Sequence, residues 1–346
     1  MTEERLEVLW HPGPGESTSP FVVKQAAALE KAEVKVEALS LSRLVKGHTV
    51  VHIHWPEHLV RSRSGIDRFR KPPFVLAVLA LLRFRRSISV IWTVHNLAPH
   101  APPNNRVERR LESELLRLLA TRSDAIVTLV AANEGLIRET FDVPESTKVV
   151  HIPEGIGFDP AALKTSASDD DPVELLAIGS LLRYKGLRKL AQLCSALPSR
   201  EVRLRIVGEA ADELLLQELL TISEGADGSV EVLPRRVSND ELAHIASTSH
   251  AAVVTHDAQF NSGTPYWAFG QYLPVISVES PVISELSDNL GKEWIFTLPL
   301  DYQEDDFALA IEWVRAPRAD MSAGLYDWPL VTAKLVDLYR NVRKSS

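Results

Sequence analysis

Short apolar runs alternate along this chain with longer stretches whose apolar positions recur every three or four residues. In the first half the runs fall at 6–10, 49–54, 88–94, 125–129 and 148–152, with helical stretches at 21–31, 73–82, 106–120 and 132–141. Brief apolar runs suit buried strands, and helices placed between such strands cover a parallel sheet. The last of these helices stops before Val143-Pro144, since the residue preceding a proline is pushed out of the helical region. The pattern predicts a Rossmann-like domain over 1–160. A polar stretch at 164–172, with Ser166, Ser168 and the run Asp169-Asp170-Asp171, reads as a linker. Alternation then resumes, with strands at 174–178, 203–207, 230–233, 251–254 and 274–278 and helices at 186–196, 211–222, 239–247 and 265–272. This predicts a second α/β domain of the same kind over 172–315. Apolar positions at helical spacing through 328–342 predict a terminal helix, within 316–346, packed on the fold. Two such domains place a ligand at the carboxyl ends of their sheets, in the cleft between them.

Composition supports this division, because 346 residues exceed what one core usually holds and 45% hydrophobic with 24% charged residues is ordinary for a globular protein. The lone Cys194 cannot form an internal disulfide and has no Cys or His at ligand spacing, so it reads as a core residue in a reducing compartment. Residues 1–9 carry Glu3, Glu4 and Glu7 and lack the basic and apolar regions of a secretory signal, which predicts a cytoplasmic protein. A net charge of -8 argues against a surface built for nucleic acid. The local exception is 61–86, where Arg61, Arg63, Arg68, Arg70, Lys71, Arg83, Arg85 and Arg86 face only Asp67 and flank an apolar run at 74–82. That run is too short to cross a bilayer. It fits a buried helix with basic flanks, the commoner arrangement, and it also fits a peripheral contact with an anionic membrane.

Two segments carry candidate chemistry in the second domain. Gly179-Ser180-Leu181-Leu182-Arg183-Tyr184-Lys185-Gly186 follows a buried strand and precedes a helix. Glycine there lets a ligand approach the backbone, while Arg183 and Lys185 can meet a diphosphate. By itself the segment equally fits a surface turn with two solvated cations. Phe260-Asn261-Ser262-Gly263-Thr264-Pro265 opens a helix, with Thr264 expected as N-cap and Pro265 as the first helical residue. The free N–H groups of Ser262, Gly263 and Thr264, with the helix dipole, suit an anion, although alone this is an ordinary capped helix. Two such turns at the ends of neighbouring strands strengthen the phosphate reading.

In order and spacing these segments resemble GT-B glycosyltransferases of the large family-4-like group, and the resemblance covers nearly the whole chain. Residues 179–186 look like that group's diphosphate-binding turn. Residues 204–208, ending in Val207-Gly208, resemble the strand before the nucleotide site, and 233–242 resemble the loop and helix near the base, where Arg235 and Arg236 lie. His151-Ile152-Pro153-Glu154-Gly155 resembles the interdomain Ile-Pro-Asn-Gly, with Glu154 in place of Asn, and 326–338 looks like the terminal helix that crosses back to the first domain. One departure stands out. The group usually carries two glutamates eight positions apart, and an ungapped count places Gln259 and Trp267 there; Asn261-Ser262-Gly263 looks instead like a variant loop of bacterial polysaccharide glycosyltransferases.

The resemblance implies transfer of a sugar from a UDP- or GDP-linked donor to a saccharide or lipid-linked acceptor, with no metal and no cofactor beyond the nucleotide sugar as co-substrate. Arg183, Lys185 and the amides of 262–264 would stabilise the leaving diphosphate. His95, ending Trp92-Thr93-Val94-His95, matches the family's active-site histidine and would orient or deprotonate the acceptor. Glu57 is the reserve general base. Gly13 and Gly15 in Pro12-Gly13-Pro14-Gly15, together with His54, are assigned to the acceptor region, although the turn reads first as chain punctuation. His52, His54, His58 and His100 could suggest a metal, yet no carboxylate stands at ligand spacing. Two other functions fit the same fold: a catalytically inactive partner subunit of another transferase, and a sugar-nucleotide epimerase.

Overall fold

The computed structural model describes residues 6–16, 19–46, 49–62, 67–98, 102–158, 171–256, 260–318 and 320–343. The chain divides into two compact units, Met1–Gly155 with Leu325–Ser346, and Ile156–Gly324.

The first unit runs β1 (Glu7–His11), α1 (Pro20–Lys31), β2 (Lys35–Ala38), α2 (Leu41–Lys46), β3 (Val50–Ile53), α3 (Pro56–Val60), α4 (Asp67–Phe84), β4 (Ser89–Val94), α5 (Arg106–Arg122), β5 (Ala125–Thr128), α6 (Glu134–Phe141) and β6 (Val149–His151). Its sheet has the order β2-β1-β3-β4-β5-β6 with parallel pairing throughout. Strands β3, β4 and β5 are buried on both faces, which is why they read as unbroken apolar runs. The edge strand β2 was not anticipated. Lys-Val-Glu-Ala has one buried apolar residue, too little for an apolar signal, and it pairs in parallel with β1 so that Lys35 lies beside Glu7 at 3.0 Å.

The second unit runs β7 (Val173–Ile178), α7 (Leu187–Ser195), β8 (Val202–Val207), α8 (Glu213–Gly225), β9 (Val230–Leu233), α9 (Asn239–Ser247), β10 (Ala251–Val254), α10 (Gly263–Gly270), β11 (Val275–Val278), α11 (Pro281–Leu290), β12 (Ile295–Leu298) and α12 (Glu304–Arg315). Its parallel sheet has the order β12-β11-β10-β7-β8-β9, which is the classical doubly-wound arrangement with its reversal between β7 and β10. The elements α11, β12 and α12 continue the alternation beyond the predicted strands.

The final helix, α13 (Trp328–Val342), belongs to the first unit. Val331, Leu335, Val336, Leu338 and Tyr339 enter the core formed by Trp10, Val22, Leu29, Ile91 and Val127. Full burial of a large apolar side chain is worth roughly 2 kcal/mol, so this face alone anchors the chain end firmly. Gly155, just after β6, admits the contact: a Cβ there would lie 2.4 Å from the Trp328 ring.

Helix α4 starts earlier than the proline at 73 suggested and carries Pro72 and Pro73 inside it. The two hydrogen bonds they remove would have ended on the carbonyls of Arg68 and Phe69, both exposed residues whose carbonyls water can satisfy. The predicted linker falls, through residue 170, outside the described residues, as do His100 and Gln259.

Candidate active site

In the first unit the chemistry gathers where β1, β3 and β4 end, next to the reversal of strand order between β1 and β3. Strand β4 is buried along its whole length and delivers His95 one residue past its end. Strand β3 sends His52 to one face, and His54 follows on that face because side chains alternate along a strand. His54 prolongs the ladder by donating its backbone N–H to the His11 carbonyl at 2.8 Å. Its Nδ1 lies 3.2 Å from Nε2 of His95. Trp55 stacks on the His95 ring at 4.1 Å, and Phe21 from α1 meets it edge-on at 4.9 Å. Behind them, Nδ1 of His52 meets the Tyr339 hydroxyl and its Nε2 the Thr93 hydroxyl, both at 2.7 Å. Burial pushes His52 and His95 down to about 3 and holds His54 well below the usual imidazole value. All three rings are neutral near pH 7.

Beside His95 a pocket is walled by Trp55, Glu57, Trp92, Glu112 and Leu116. Glu57 stands in the first turn of α3, and burial raises its carboxyl above the ordinary value while Arg61 opposes the shift. A carboxylate so raised is better matched to taking a proton near neutrality. Glu112 pairs with Arg61 at 3.4 Å. Sequence reasoning missed Glu112, although a signal existed: Glu108, Glu112, Leu115 and Leu119 share the buried face of α5, so two carboxylates interrupt an otherwise apolar stripe.

The glycine turn after β1 behaves as punctuation. A Cβ on Gly13 would meet Cβ of Ala38 at 2.5 Å, while nothing lies within 4 Å of one on Gly15. The Gly13 N–H donates to the Glu16 carboxylate at 2.9 Å, and Glu16 N–H returns to the Gly13 carbonyl at 2.9 Å, so the turn closes on itself.

In the second unit the loops after β7, β8 and β10 meet at the strand-order reversal. Gly179 has φ +108, and a Cβ there would meet Nζ of Lys185 at 2.5 Å; a Cβ on Gly208 would meet the Gly179 carbonyl oxygen at 2.0 Å. The Thr255 hydroxyl, one residue past β10, donates to the Lys185 carbonyl at 2.7 Å. The structure therefore brings Gly179, Lys185, Gly208 and Thr255 together at one strand end. Burial lowers the Lys185 ammonium below its ordinary value. Arg183 is placed differently from Lys185. It pairs with Asp212 at 2.9 Å and Glu218 at 3.2 Å, and those carboxylates raise its pKa. Arg235 pairs with Glu241 at 2.9 Å, and Arg236 is exposed beside it.

The helix start also differs from expectation. Ser262, not Thr264, occupies the N-cap position with an extended backbone, and α10 begins at Gly263. Pro265 is thus the third helical residue, which is tolerated because the first-turn N–H groups have no partner within the helix in any case. The Ser262 hydroxyl makes no cap bond.

No family model matches the chain. A GDP-mannose:glycolipid 4-beta-D-mannosyltransferase of Xanthomonas campestris pv. campestris is 26% identical over 323 residues, covering 92% of this chain and 87% of that protein. Sucrose-phosphate synthase from Thermosynechococcus elongatus shares the fold with a TM-score of 0.66, covering 98% of this chain and 99% of that one at 14% identity. The α,α-trehalose 6-phosphate synthase of Burkholderia multivorans gives 0.60, covering 98% and 97% at 13% identity. The chain has the two-domain GT-B fold. Among the described residues, no helix is long and apolar enough to cross a membrane, and no group of three or more His, Cys, Asp and Glu could hold a metal ion.

Proposed function

We propose that the enzyme moves a hexosyl group, with mannosyl as the first candidate, from a GDP- or UDP-linked sugar to a hydroxyl of a saccharide or lipid-linked saccharide, in bacterial polysaccharide or glycoconjugate synthesis. It is a variant of the family-4-like group in which the loop Asn261-Ser262-Gly263 replaces the usual glutamate-bearing motif. The observation that carries this reading is the Lys185 ammonium set against the bare backbone of Gly179, at the point where the strand order reverses. As the anomeric bond to the diphosphate breaks, its electron pair stays on the phosphate oxygen. Lys185 and the N–H groups of 262–264 stabilise that growing charge more than the ground state, which is what lowers a barrier. The acceptor hydroxyl loses its proton to a base in the pocket of the first unit, where Glu57 and His95 stand. The mannosyl choice rests on the Xanthomonas relative.

A thermal-shift screen of UDP, GDP and their sugars against the enzyme and Lys185→Ala tests this. A ligand at about 100 times its dissociation constant stabilises the fold by roughly 2.7 kcal/mol. Stabilisation by one nucleotide, lost in the variant, together with acceptor-dependent release of that nucleotide from its sugar, is the expected result. The inactive-partner reading is favoured by Trp267, where the group has a glutamate. Nucleotide binding with no turnover for any acceptor offered would select it.

The outer face of α4 supports a contact of this enzyme with an anionic bilayer. Val75, Val78 and Leu82 turn inward, while Phe69, Leu76 and Phe84 are 80%, 56% and 76% exposed, among the exposed Arg68, Arg70, Arg83 and Arg86. Apolar side chains beside arginines suit the headgroup boundary, where a lipid-linked acceptor is presented.

A further inference from the structure

Three features of His54 are left unused by the proposed transfer reaction. The ring is 1% exposed, its Nδ1 meets Nε2 of His95 at 3.2 Å, and its Nε2 is buried without a hydrogen-bond partner among the described residues. It is enclosed by rings: His52 lies 4.2 Å away, Trp10 4.6 Å and Phe21 5.7 Å between centroids.

A neutral imidazole has one N–H and one bare nitrogen, so the contact between the two histidines admits two proton arrangements. In the first, His95 donates from Nε2 and His54 accepts at Nδ1. The His54 proton then sits on Nε2, as a buried donor with no acceptor. In the second, His54 donates from Nδ1, and only a bare lone pair is left without a partner. Orphaned buried N–H groups are rarer than under-satisfied acceptors, which selects the second arrangement.

We infer that His54 is a positioning residue which donates from Nδ1 to Nε2 of His95, holding the His95 ring as the Nδ1–H tautomer, so that His95 cannot accept a proton at Nε2. The inference rests on His95 facing the reacting sugars. Its consequence is a division of labour in the pocket. His95 contributes a neutral ring of fixed tautomer, and the proton of the acceptor hydroxyl goes to the carboxylate of Glu57. Burial of both rings among aromatic neighbours keeps them uncharged, in agreement with this arrangement. Trp55, stacked on His95, fixes the plane of the ring, while the bond from His54 fixes which nitrogen carries the proton.

The test is made first on the enzyme without substrate. Protein labelled with 15N in histidine is examined by long-range 1H–15N correlation, which distinguishes the two tautomers of each ring. The expected spectrum shows His95 protonated at Nδ1 with an unprotonated, hydrogen-bonded Nε2. In His54→Phe, which retains an aromatic ring without the donor, the Nε2 resonance moves; in His54→Asn, whose amide stands near the position of Nδ1–H, it moves back. In the transfer assay, His54→Phe lowers kcat on the order of 10- to 100-fold with KM for both substrates nearly unchanged, and His54→Asn recovers most of the loss. A spectrum with His95 protonated at Nε2, or a His54→Phe enzyme with unaltered kcat, overturns the inference. The expected tautomer in a protein for which His95→Ala leaves transfer intact would uphold the role of His54 and remove His95 from the reaction.

Discussion

The hydroxyl of Tyr339, on the last helix, lies 2.7 Å from Nδ1 of His52 on β3 and also accepts the indole N–H of Trp10 at 3.0 Å. A residue of the last helix thereby supports the strand that carries His52 and leads into His54. Replacing Tyr339 by Phe keeps the ring and deletes the hydroxyl, leaving a buried indole N–H without an acceptor. The expected cost is about 2 kcal/mol, seen as a lower urea midpoint at unchanged slope. A midpoint equal to that of the wild type would show that the network contributes nothing.

Acid should unfold this protein through its buried histidines. The folded values of His52 and His95, about 3, and of His54, well below normal, lie beneath the ordinary 6.5. The unfolded chain therefore binds protons that the folded chain refuses. The stabilising contribution is complete above pH 6.5 and is lost as the pH falls toward 3, at up to about 1.4 kcal/mol per pH unit for each ring. Glu154, raised to about 7 by burial, acts in the opposite sense: its contribution is present below pH 4.5 and lost as the pH rises through 7. Three histidines outweigh one carboxyl, so the unfolding free energy should fall steeply between pH 6 and 4. A flat profile over that interval would contradict the neutral, buried cluster.

Lys185 and Arg183 should separate cleanly in a binding experiment. Lys185→Ala removes the ammonium that stands at the Gly179 backbone, and nucleotide affinity should fall by about tenfold or more, in line with a charge-assisted hydrogen bond worth 1.5–3 kcal/mol. Arg183 is 47% exposed and already paired with Asp212 and Glu218, so Arg183→Ala should change affinity by less than about threefold. Calorimetry with GDP and UDP decides the matter; equal losses in both variants would mean that Arg183 leaves its carboxylates to meet the ligand.

Gly208→Ala tests the close backbone approach at the same strand end. The added Cβ would sit 2.0 Å from the Gly179 carbonyl oxygen, a backbone atom restrained by the Gly179 N–H bond to the Val207 carbonyl at 3.0 Å. The expected destabilisation is about 1–3 kcal/mol, with weaker nucleotide binding as Gly179 is displaced. Gly15→Ala is the control, because its Cβ would enter open space, and a stability change within about 0.5 kcal/mol is expected.

Vesicle co-sedimentation tests the outer face of α4. Binding to vesicles containing anionic lipid, weak or absent with zwitterionic lipid alone, should be reduced by Phe69→Ser with Phe84→Ser and should decline with added salt. Equal pelleting with both lipid compositions would exclude the basic side chains from the contact.

Much of this is legible in the sequence. Strands β9 and β10 and helices α9 and α13 match the boundaries read from the sequence, because each combines a clean apolar period with a clear end signal: Ser238 caps α9 by accepting the Glu241 N–H, and Asp327 with Pro329 opens α13. Hydrophobic periodicity is a local property, and a linear text contains it. The strand Lys35–Ala38 lacked that signal, since an edge strand is defined by the neighbour it pairs with.

What only the tertiary structure decided was which of the legible groups meet. Residues 179–186 and 260–265 could each be a plain turn or a plain cap until the order β10-β7-β8 placed the ends of those strands side by side. In the same way Arg183 and Lys185, two positions apart, are equivalent as text, yet Asp212 at the N-cap of α8 and Glu218 within it engage one and Gly179 receives the other. His54 and His95, 41 positions apart, become a bonded pair only because β3 and β4 are parallel neighbours, with Ile53 opposite Trp92. The sequence by itself determined the elements and the kinds of chemistry available, through local periodicity and residue type. The pairing of those chemistries depended on the folded chain, because strand order and side-chain partners are long-range properties that no local pattern encodes.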